Sequence, residues 1–166
     1  MPAASFVDSS HRVVVTICSG ELTLNEVKAA FAEIRRHPDF HPDFRQLITL
    51  SEVSKCLLYS KDLYQLKQAH DPFSNKGKRA VVAPHGVLFG IGRMYQQILS
   101  NQQFEVFHSL VEARTWLGLN AVMLEAAQQF VLSTQRLKEE STLLDVPSDA
   151  SSGDTTPKHL RKGSSG

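Results

Sequence analysis

The sequence has too few cysteines, too little net charge and too short apolar runs for several classes of protein. Its two cysteines, Cys18 and Cys56, cannot form the disulfide framework of a small secreted domain. The formal net charge is +1, so no overall attraction to nucleic acid or anionic membranes is expected. No apolar run reaches the ~18 residues of a membrane span, and the first residues do not resemble a secretory signal. We therefore expect a cytoplasmic protein that neither spans a membrane nor binds nucleic acid.

Motifs that support catalysis are also missing. The chain contains no Walker lysine motif, no nucleophile elbow and no H-E-x-x-H zinc motif. Gly86, Gly90 and Gly92 do not complete a dinucleotide-binding loop, because the third glycine of that motif is missing. Their position within a predicted helix favours close packing of that helix on a sheet. The sequence therefore predicts a protein that is not an enzyme and uses no cofactor.

Seven histidines raise the question of a metal site. Two of them belong to a tandem His-Pro-Asp-Phe repeat at 37–44, whose prolines break any helix or strand and direct the side chains apart. The repeat predicts a loop with two tucked phenylalanines and no bound metal. His85 and His108 each follow a strand, where α/β folds gather their ligands, and are predicted to line a pocket. Cys18 falls within a strand and is predicted to be a buried, inert thiol.

Strand and helix patterns alternate along the chain. Runs of β-branched and apolar residues predict strands at 5–8, 12–18, 45–50, 79–83 and 104–107. Helical spacing of apolar residues predicts helices at 23–37, 60–70, 87–100, 109–117 and 119–140. The interval 51–59 is predicted to be a loop. The charged segment 76–79 is predicted to be a solvated basic turn, with contact to an acidic partner or a phosphate as the alternative.

This alternation predicts the fold class and the domain organisation. Strands that alternate with helices pair in parallel through right-handed crossovers. The predicted class is α/β, with a mixed, mainly parallel sheet of four to five strands, a leading hairpin, crossover helices and an added C-terminal helix. The strands are apolar on both sides, so both faces of the sheet need cover. We expect a domain at 1–118, a helix at 119–142 packed on it or at a dimer interface, and a disordered tail at 143–166.

Several short stretches between Arg12 and Leu119 resemble a known group of proteins. They are V-V-T-I at 14–17, G-E-L-T at 20–23, H-P-D-F at 37–40, F-R-Q-L-I at 44–48, R-A-V-V-A-P at 79–84, G-I-G-R-M-Y at 90–95, F-E-V-F at 104–107 and E-A-R-T-W-L-G-L at 112–119. In order and spacing they resemble the small bacterial STAS-like proteins of the SpoIIAA-like fold group, most of which are uncharacterised. The resemblance implies a SpoIIAA-like sheet with crossover helices.

The resemblance also implies a function. Better-studied STAS domains are non-catalytic regulatory modules, so it implies a protein partner such as a kinase or an anti-sigma-type regulator. Some are phosphorylated on a serine at a helix start, and Ser60 is the matching residue, although Leu58-Tyr59 replaces the acidic residue of that motif. The sequence favours a structural role for Ser60 as a helix N-cap. The implied partner-binding residues are Ser54, Cys56, Leu58, Tyr59, Ser60 and Leu63.

Two other functions and a homodimer remain as alternatives. One function is a carrier or sensor of a small apolar ligand or lipid, held between the sheet and a helix, since the fold group resembles SEC14-type lipid carriers in layout. The other is an enzyme whose residues converge only in the folded chain, with His85 or His108 beside Cys56 or a serine. Pairing of the C-terminal helix with its copy would produce the homodimer.

Overall fold

The computed structural model describes residues 3–101 and 103–144. Its strands are β1 (Ala3–Asp8), β2 (Val13–Leu22), β3 (Arg45–Cys56), β4 (Arg79–Val82) and β5 (Phe104–Phe107). Its helices are α1 (Leu24–Arg36), α2 (Ser60–Gln65), α3 (Gly86–Leu99), α4 (Leu110–Leu117) and α5 (Ala121–Leu144). A π-helical turn, Leu66–His70, continues α2. The predicted tail at 143–166 lies outside the described residues, apart from its first two positions, which belong to α5.

The five strands form one sheet in the order β1-β2-β3-β4-β5. β1 and β2 form the leading antiparallel hairpin, and the remaining neighbours pair in parallel. Helices connect each parallel pair, because a parallel pair cannot be joined by a tight turn. The predicted α/β class, with a mixed and mainly parallel sheet, is confirmed.

Helices cover both faces of the sheet. On one face, α1, α2 and α3 pack over side chains such as Val14, Leu50 and Val81. On the other face, α4 and the first half of α5 pack over Val13 and Leu47. Alternate residues of one strand therefore enter different cores, which explains why the strands are apolar on both sides. None of the helices in the described part of the chain combines the length and hydropathy that a membrane span needs.

The prediction of a loop at 51–59 is wrong over most of its length. β3 continues to Cys56 and pairs with the second half of β2, up to the pair Leu22–Cys56. Two irregularities in the β2–β3 register accompany this extension. Only residues 57–59 remain as a loop. β3 is consequently much longer than β4, and it extends past β4 at the carboxyl edge of the sheet.

Two glycines of α3 give a matched test of helix packing. A Cβ added to Gly92 would lie 3.1 Å from Val106 Cγ1, whereas one added to Gly90 would have no atom within 4 Å. Close packing is thus confirmed for Gly92 and not for Gly90. Gly90→Ala is expected to raise the free energy of unfolding by about 0.5–1 kcal/mol, because alanine favours the helix. Gly92→Ala should not raise the free energy of unfolding, because the new methyl group would crowd Val106. Urea denaturation measures both variants, and equal gains in the two would contradict this account.

Candidate functional site

A groove lies at the edge of the sheet where the parallel strands end. It has a volume of about 430 Å³ and opens to solvent. One wall is the last part of β3, and the other is the connection from β4 into α3. Its lining residues are Leu50, Ser51, Val53, Ser54, Lys55, Cys56, Pro84, His85, Gly86, Val87 and Leu88. We call it the edge groove, because it lies at the carboxyl edge of the parallel strands.

The shape of the edge groove follows from where β4 stops. The last β3–β4 pair is Thr49 with Val82. Pro84 cannot extend the pairing because it has no backbone N–H. The chain then turns away from β3 at Gly86, whose φ of +69° is readily adopted only by glycine, and enters α3. The separation of the two chains beyond β4 leaves the edge groove between them.

The start of α2 follows the β3 wall of the groove after a three-residue loop, and it is capped differently from the prediction. The N-cap position is Tyr59, and its backbone N–H donates to Asp62 Oδ2 at 2.9 Å. Asp62 is buried and occupies the third helical position, where an acidic side chain can reach back to the N-cap. Ser60 is the first helical residue and is exposed. The prediction that Ser60 is the N-cap is therefore wrong by one position.

In this geometry, the side chain that stabilises the start of α2 is that of Asp62 and not that of Ser60. Asp62→Ala is expected to lower the free energy of unfolding by about 1 kcal/mol, because the Tyr59 N–H loses its acceptor. Ser60→Ala should change it by less than about 0.5 kcal/mol, as for other exposed positions. Urea denaturation followed by circular dichroism measures both values. A larger loss from Ser60→Ala than from Asp62→Ala would contradict this account.

The structure distributes the six predicted partner-binding residues between surface and core. Ser54 and Cys56 line the edge groove, and Tyr59 and Ser60 are exposed beside it. Leu58 and Leu63 are only 8% and 2% exposed, because they belong to the core beneath α2. The two leucines therefore support this surface from below and do not form part of it.

Three large side chains of the groove wall and of the start of α2 are strongly exposed, and only Tyr59 belongs to the predicted set. Tyr59 is 64% exposed, Tyr64 is 55% exposed and Val87 is 72% exposed. Tyr59 and Tyr64 belong to the start of α2 and its cap, and Val87 lies in the first turn of α3. Tyr64 falls outside the apolar stripe of its helix, and this was the signal by which the sequence could have indicated it. Val87 falls in register with Ile91 and Tyr95, so the helical pattern assigned it to the core, and its exposure shows that assignment to be wrong.

The two histidines predicted to line a pocket have different environments. His85 lines the edge groove. His108 stacks on Phe89 with a centroid separation of 4.1 Å, and its Nδ1 lies 2.9 Å from the carbonyl oxygen of Pro84, to which it donates. His108 thus fixes the β4–α3 connection and does not line this groove. Within residues 3–101 and 103–144, neither histidine hydrogen-bonds to a serine or to Cys56.

The His-Pro-Asp-Phe repeat forms two similar turns. His37 Nδ1 accepts from the Asp39 N–H at 3.2 Å, and His41 Nδ1 accepts from the Asp43 N–H at 3.1 Å. Each histidine thereby closes its own turn. The rings of Phe40 and Phe44 pack edge to face, as predicted for tucked phenylalanines. Among the residues that the structure describes, no three His, Cys, Asp or Glu side chains are placed to share a metal ion.

The two thiols differ in accessibility. Cys18 is buried in β2, and burial, with a further contribution from Glu26, raises its pKa to about 12. The predicted burial of Cys18 is confirmed, and at neutral pH it remains a protonated thiol. Cys56 is partly exposed in the edge groove. It is therefore the accessible thiol of this surface.

A second cavity lies inside the core between the sheet and the three helices α1, α2 and α3. Its volume is about 90 Å³, and its exposed lining is entirely apolar. The lining residues include Cys18, Phe31, Leu63, Ile91 and Phe104. This is the place where the sequence predicted a pocket for an apolar ligand. Ligand pockets for drug-sized molecules are several times larger, at about 300–1,000 Å³.

A buried ion pair lies behind the core cavity. Arg79 Nη1 donates to Asp71 Oδ2 at 2.8 Å, and the Tyr95 hydroxyl donates to the same oxygen at 2.5 Å. Burial and the charge of Asp71 raise the pKa of Tyr95, so its hydroxyl stays a donor. The Arg79 guanidinium also lies 4.6 Å from the ring of Phe73. The prediction of a solvated basic turn at 76–79 is therefore wrong for Arg79.

Polar side chains continue this ion pair across the sheet. Arg79 Nε donates to Gln46 Oε1 at 3.0 Å, and Gln46 Nε2 donates to Thr16 Oγ1 at 3.4 Å. Thr16 and Ser5 share a further hydrogen bond of 3.0 Å. The row crosses β4, β3, β2 and β1 within the face that α1, α2 and α3 cover. It fixes the alignment of four strands, because polar groups buried here must keep their partners.

Comparisons with known proteins find a similarity to a solved structure. No protein-family model matches the sequence, and no curated protein matches it. The fold is similar to that of an uncharacterised protein of the DUF3478 family from Shewanella loihica, whose crystal structure has a SpoIIAA-like fold. The two chains are 16% identical with a TM-score of 0.49, over 69% of this chain and 91% of that one. SpoIIAA-like is the fold group that the sequence motifs resemble.

Proposed function

We propose that the chain is a non-catalytic, cytoplasmic interaction module of STAS type that binds a regulatory protein at the edge groove and the adjoining start of α2. The observation that carries the proposal is the exposure of Val87 in the wall of this groove, together with the exposure of Tyr59 and Tyr64 on the helix start that follows the β3 wall. Exposed aromatic and aliphatic side chains around a concavity are typical of protein-binding surfaces. The sequence resemblance supports a kinase or an anti-sigma-type regulator as the partner.

Two valines provide a matched test of this surface. Val87 and Val111 are each the second residue of a helix and are 72% and 64% exposed. Val87 borders the edge groove, whereas Val111 lies on α4, against the other face of the sheet. A glutamate at either position lies in a first helical turn, where a negative charge is tolerated. The two substitutions therefore differ in place but not in their expected effect on folding.

The experiment compares complexes of the full chain purified from its own host by native mass spectrometry. Wild type and Val111→Glu should carry one stoichiometric protein partner, and Val87→Glu should lose it. Equal melting temperatures of the two variants would show that the loss is not due to unfolding. The proposed surface is wrong if Val87→Glu retains the partner, and the proposed function is wrong if the wild type carries no protein.

Ser60 would allow phosphorylation to control this interaction. It is exposed at the first position of α2, next to Tyr59, so a phosphate there would change the charge of the proposed surface. Ser60→Asp should then reduce or increase recovery of the partner relative to Ser60→Ala, with little change in melting temperature. Equal recovery by wild type, Ser60→Ala and Ser60→Asp removes the phosphorylation hypothesis and leaves the binding surface intact.

The apolar core cavity favours a second candidate function, the binding of a small apolar molecule. Its volume of about 90 Å³ accommodates only a few heavy atoms, so a lipid chain does not fit without movement of a helix. The same native mass spectra test this candidate. A small-molecule adduct on the wild type that disappears when Ala30→Leu fills the cavity would support it, and a spectrum without an adduct would reject it.

A further inference from the structure

The outer part of β3 is a sheet edge without a partner strand. The β3–β4 pairing ends at Thr49 and Val82, while β3 continues for seven residues, Leu50–Cys56. These seven residues pair with β2 on one side only. Within the described residues, no backbone hydrogen bond joins them to the connection between β4 and α3. Backbone N–H and C=O groups of this segment therefore face the edge groove unpaired, and such an edge is a template for another strand.

The edge groove has the form needed for an extended peptide. It runs between the β3 edge and the first turn of α3, and it is bordered by apolar groups of Val53, Val87 and Leu88. Seven strand residues at about 3.3 Å each give an edge of about 23 Å, which is enough to pair with a strand of similar length. Peptides that add to a sheet edge obtain affinity from backbone hydrogen bonds and specificity from alternate side chains.

The charge of the groove indicates which kind of peptide segment it can bind. Lys55 is exposed, and no ion pair involving it occurs among the described residues. None of the lining residues is acidic. The first turn of α3 has no side-chain cap, so its backbone N–H groups add positive potential to the same groove. An acidic segment is the complementary occupant.

We propose that the β3 edge, residues 50–56, binds an extended acidic segment of a partner protein by strand addition. The proposal rests on the proposed function, because it specifies how a protein partner occupies the edge groove. The segment pairs its backbone with β3, directs alternate side chains towards Val53 and Val87, and places a carboxylate against Lys55.

The test is a selection from a random peptide library displayed on phage, with the full chain as the bait. Selected peptides are expected to alternate acidic with β-branched or aromatic residues. A synthetic copy of the consensus peptide should slow amide hydrogen exchange at residues 50–56 by about tenfold or more, as expected for newly paired strand amides. Lys55→Glu should weaken its binding about five- to tenfold.

Glu52 supplies the control variant. It belongs to the same strand, but it lines a groove beside α5 on the opposite face of the sheet. Glu52→Lys should leave peptide affinity within about twofold, since only long-range charge acts from that face. A basic or uncharged consensus, a bound peptide that leaves exchange at 50–56 unchanged, or a selection that enriches nothing would overturn the proposal. Protection of 50–56 in the protein alone, with dimerisation in the ultracentrifuge, would assign the edge to a second copy and also overturn it.

These outcomes are separate from those of the proposed function. Loss of the host partner in Val87→Glu, together with unchanged binding in Lys55→Glu, would keep the interaction surface and reject strand addition. Loss of partner and peptide in both variants would support both proposals. A peptide that binds the β3 edge although the wild-type chain carries no host protein would support strand addition and reject the regulatory complex.

Discussion

Arg79→Met is expected to lower the free energy of unfolding by about 3–5 kcal/mol, because it leaves the buried carboxylate of Asp71 without its cation. Arg79 is 1% exposed and holds Asp71 at 2.8 Å in a region closed by the rings of Phe73 and Phe104. Water cannot replace the lost partner there at low cost. A loss of this size is a large fraction of the 5–15 kcal/mol typical of a domain. Urea denaturation monitored by circular dichroism measures it.

Three further variants separate the ion pair from simple packing. Arg79→Met combined with Asp71→Asn should be more stable than Arg79→Met alone, since the amide carries no charge yet still accepts the hydrogen bond from Tyr95. Tyr95→Phe should cost about 1.5–3 kcal/mol, the value for a hydrogen bond to a charged group. Arg12→Met is the control, because Arg12 also lies over a ring, that of Phe44, but is exposed. Similar losses in Arg12→Met and Arg79→Met would contradict the proposed role of the buried charge.

The elements with apolar faces could be predicted from the sequence. Strands such as 12–18 and 79–83 carry apolar residues on both sides, and the structure confirms that both sides are buried. The length of β3 could not be predicted in the same way. After Leu50 its side chains are mainly polar, because this part of the strand lies at a sheet edge beyond β4. A pattern that detects burial cannot detect a strand that is mostly exposed.

The site was predictable only where its residues are close together in the sequence. The contact surface around Ser54–Leu63 is what the family resemblance implies, and in the structure this segment contains the end of β3, which lines the edge groove, and the start of α2. Arg79 was interpreted as part of a basic turn, because its partners Asp71 and Gln46 are brought to it by the π-helical turn and by the β3–β4 register. The cap at Tyr59 was missed because tyrosine has no preference for that position. In the folded chain, the environment of Arg79 and the cap at Tyr59 are both set by hydrogen-bond partners that the local sequence pattern does not indicate.

Removal of residues 119–166 is expected to make the protein aggregate. The first half of α5 and the segment before it bury Leu119, Met123, Leu124, Ala127 and Val131. All of them except Val131 belong to one apolar cluster with Val13 and Val15 of β2, and the ring centroids of Phe6 on β1 and Phe130 are 5.0 Å apart. Each buried side chain of leucine size contributes about 1.5–3 kcal/mol through removal of apolar area from water. Without the helix, the β1–β2 side of this face would be an apolar patch in contact with solvent.

A milder substitution tests the same contact in the full chain. Leu124→Ala should lower the free energy of unfolding by about 2–5 kcal/mol, because it leaves a cavity over the sheet. Leu137→Ala on the same helix should change it by less than about 0.5 kcal/mol, since that side chain is 66% exposed. A truncated chain that stays soluble, monomeric and equally heat-stable would contradict the role of α5 as a cover. A melting temperature of the full chain that rises with protein concentration would instead show that α5 also joins two copies, since only association makes stability depend on concentration.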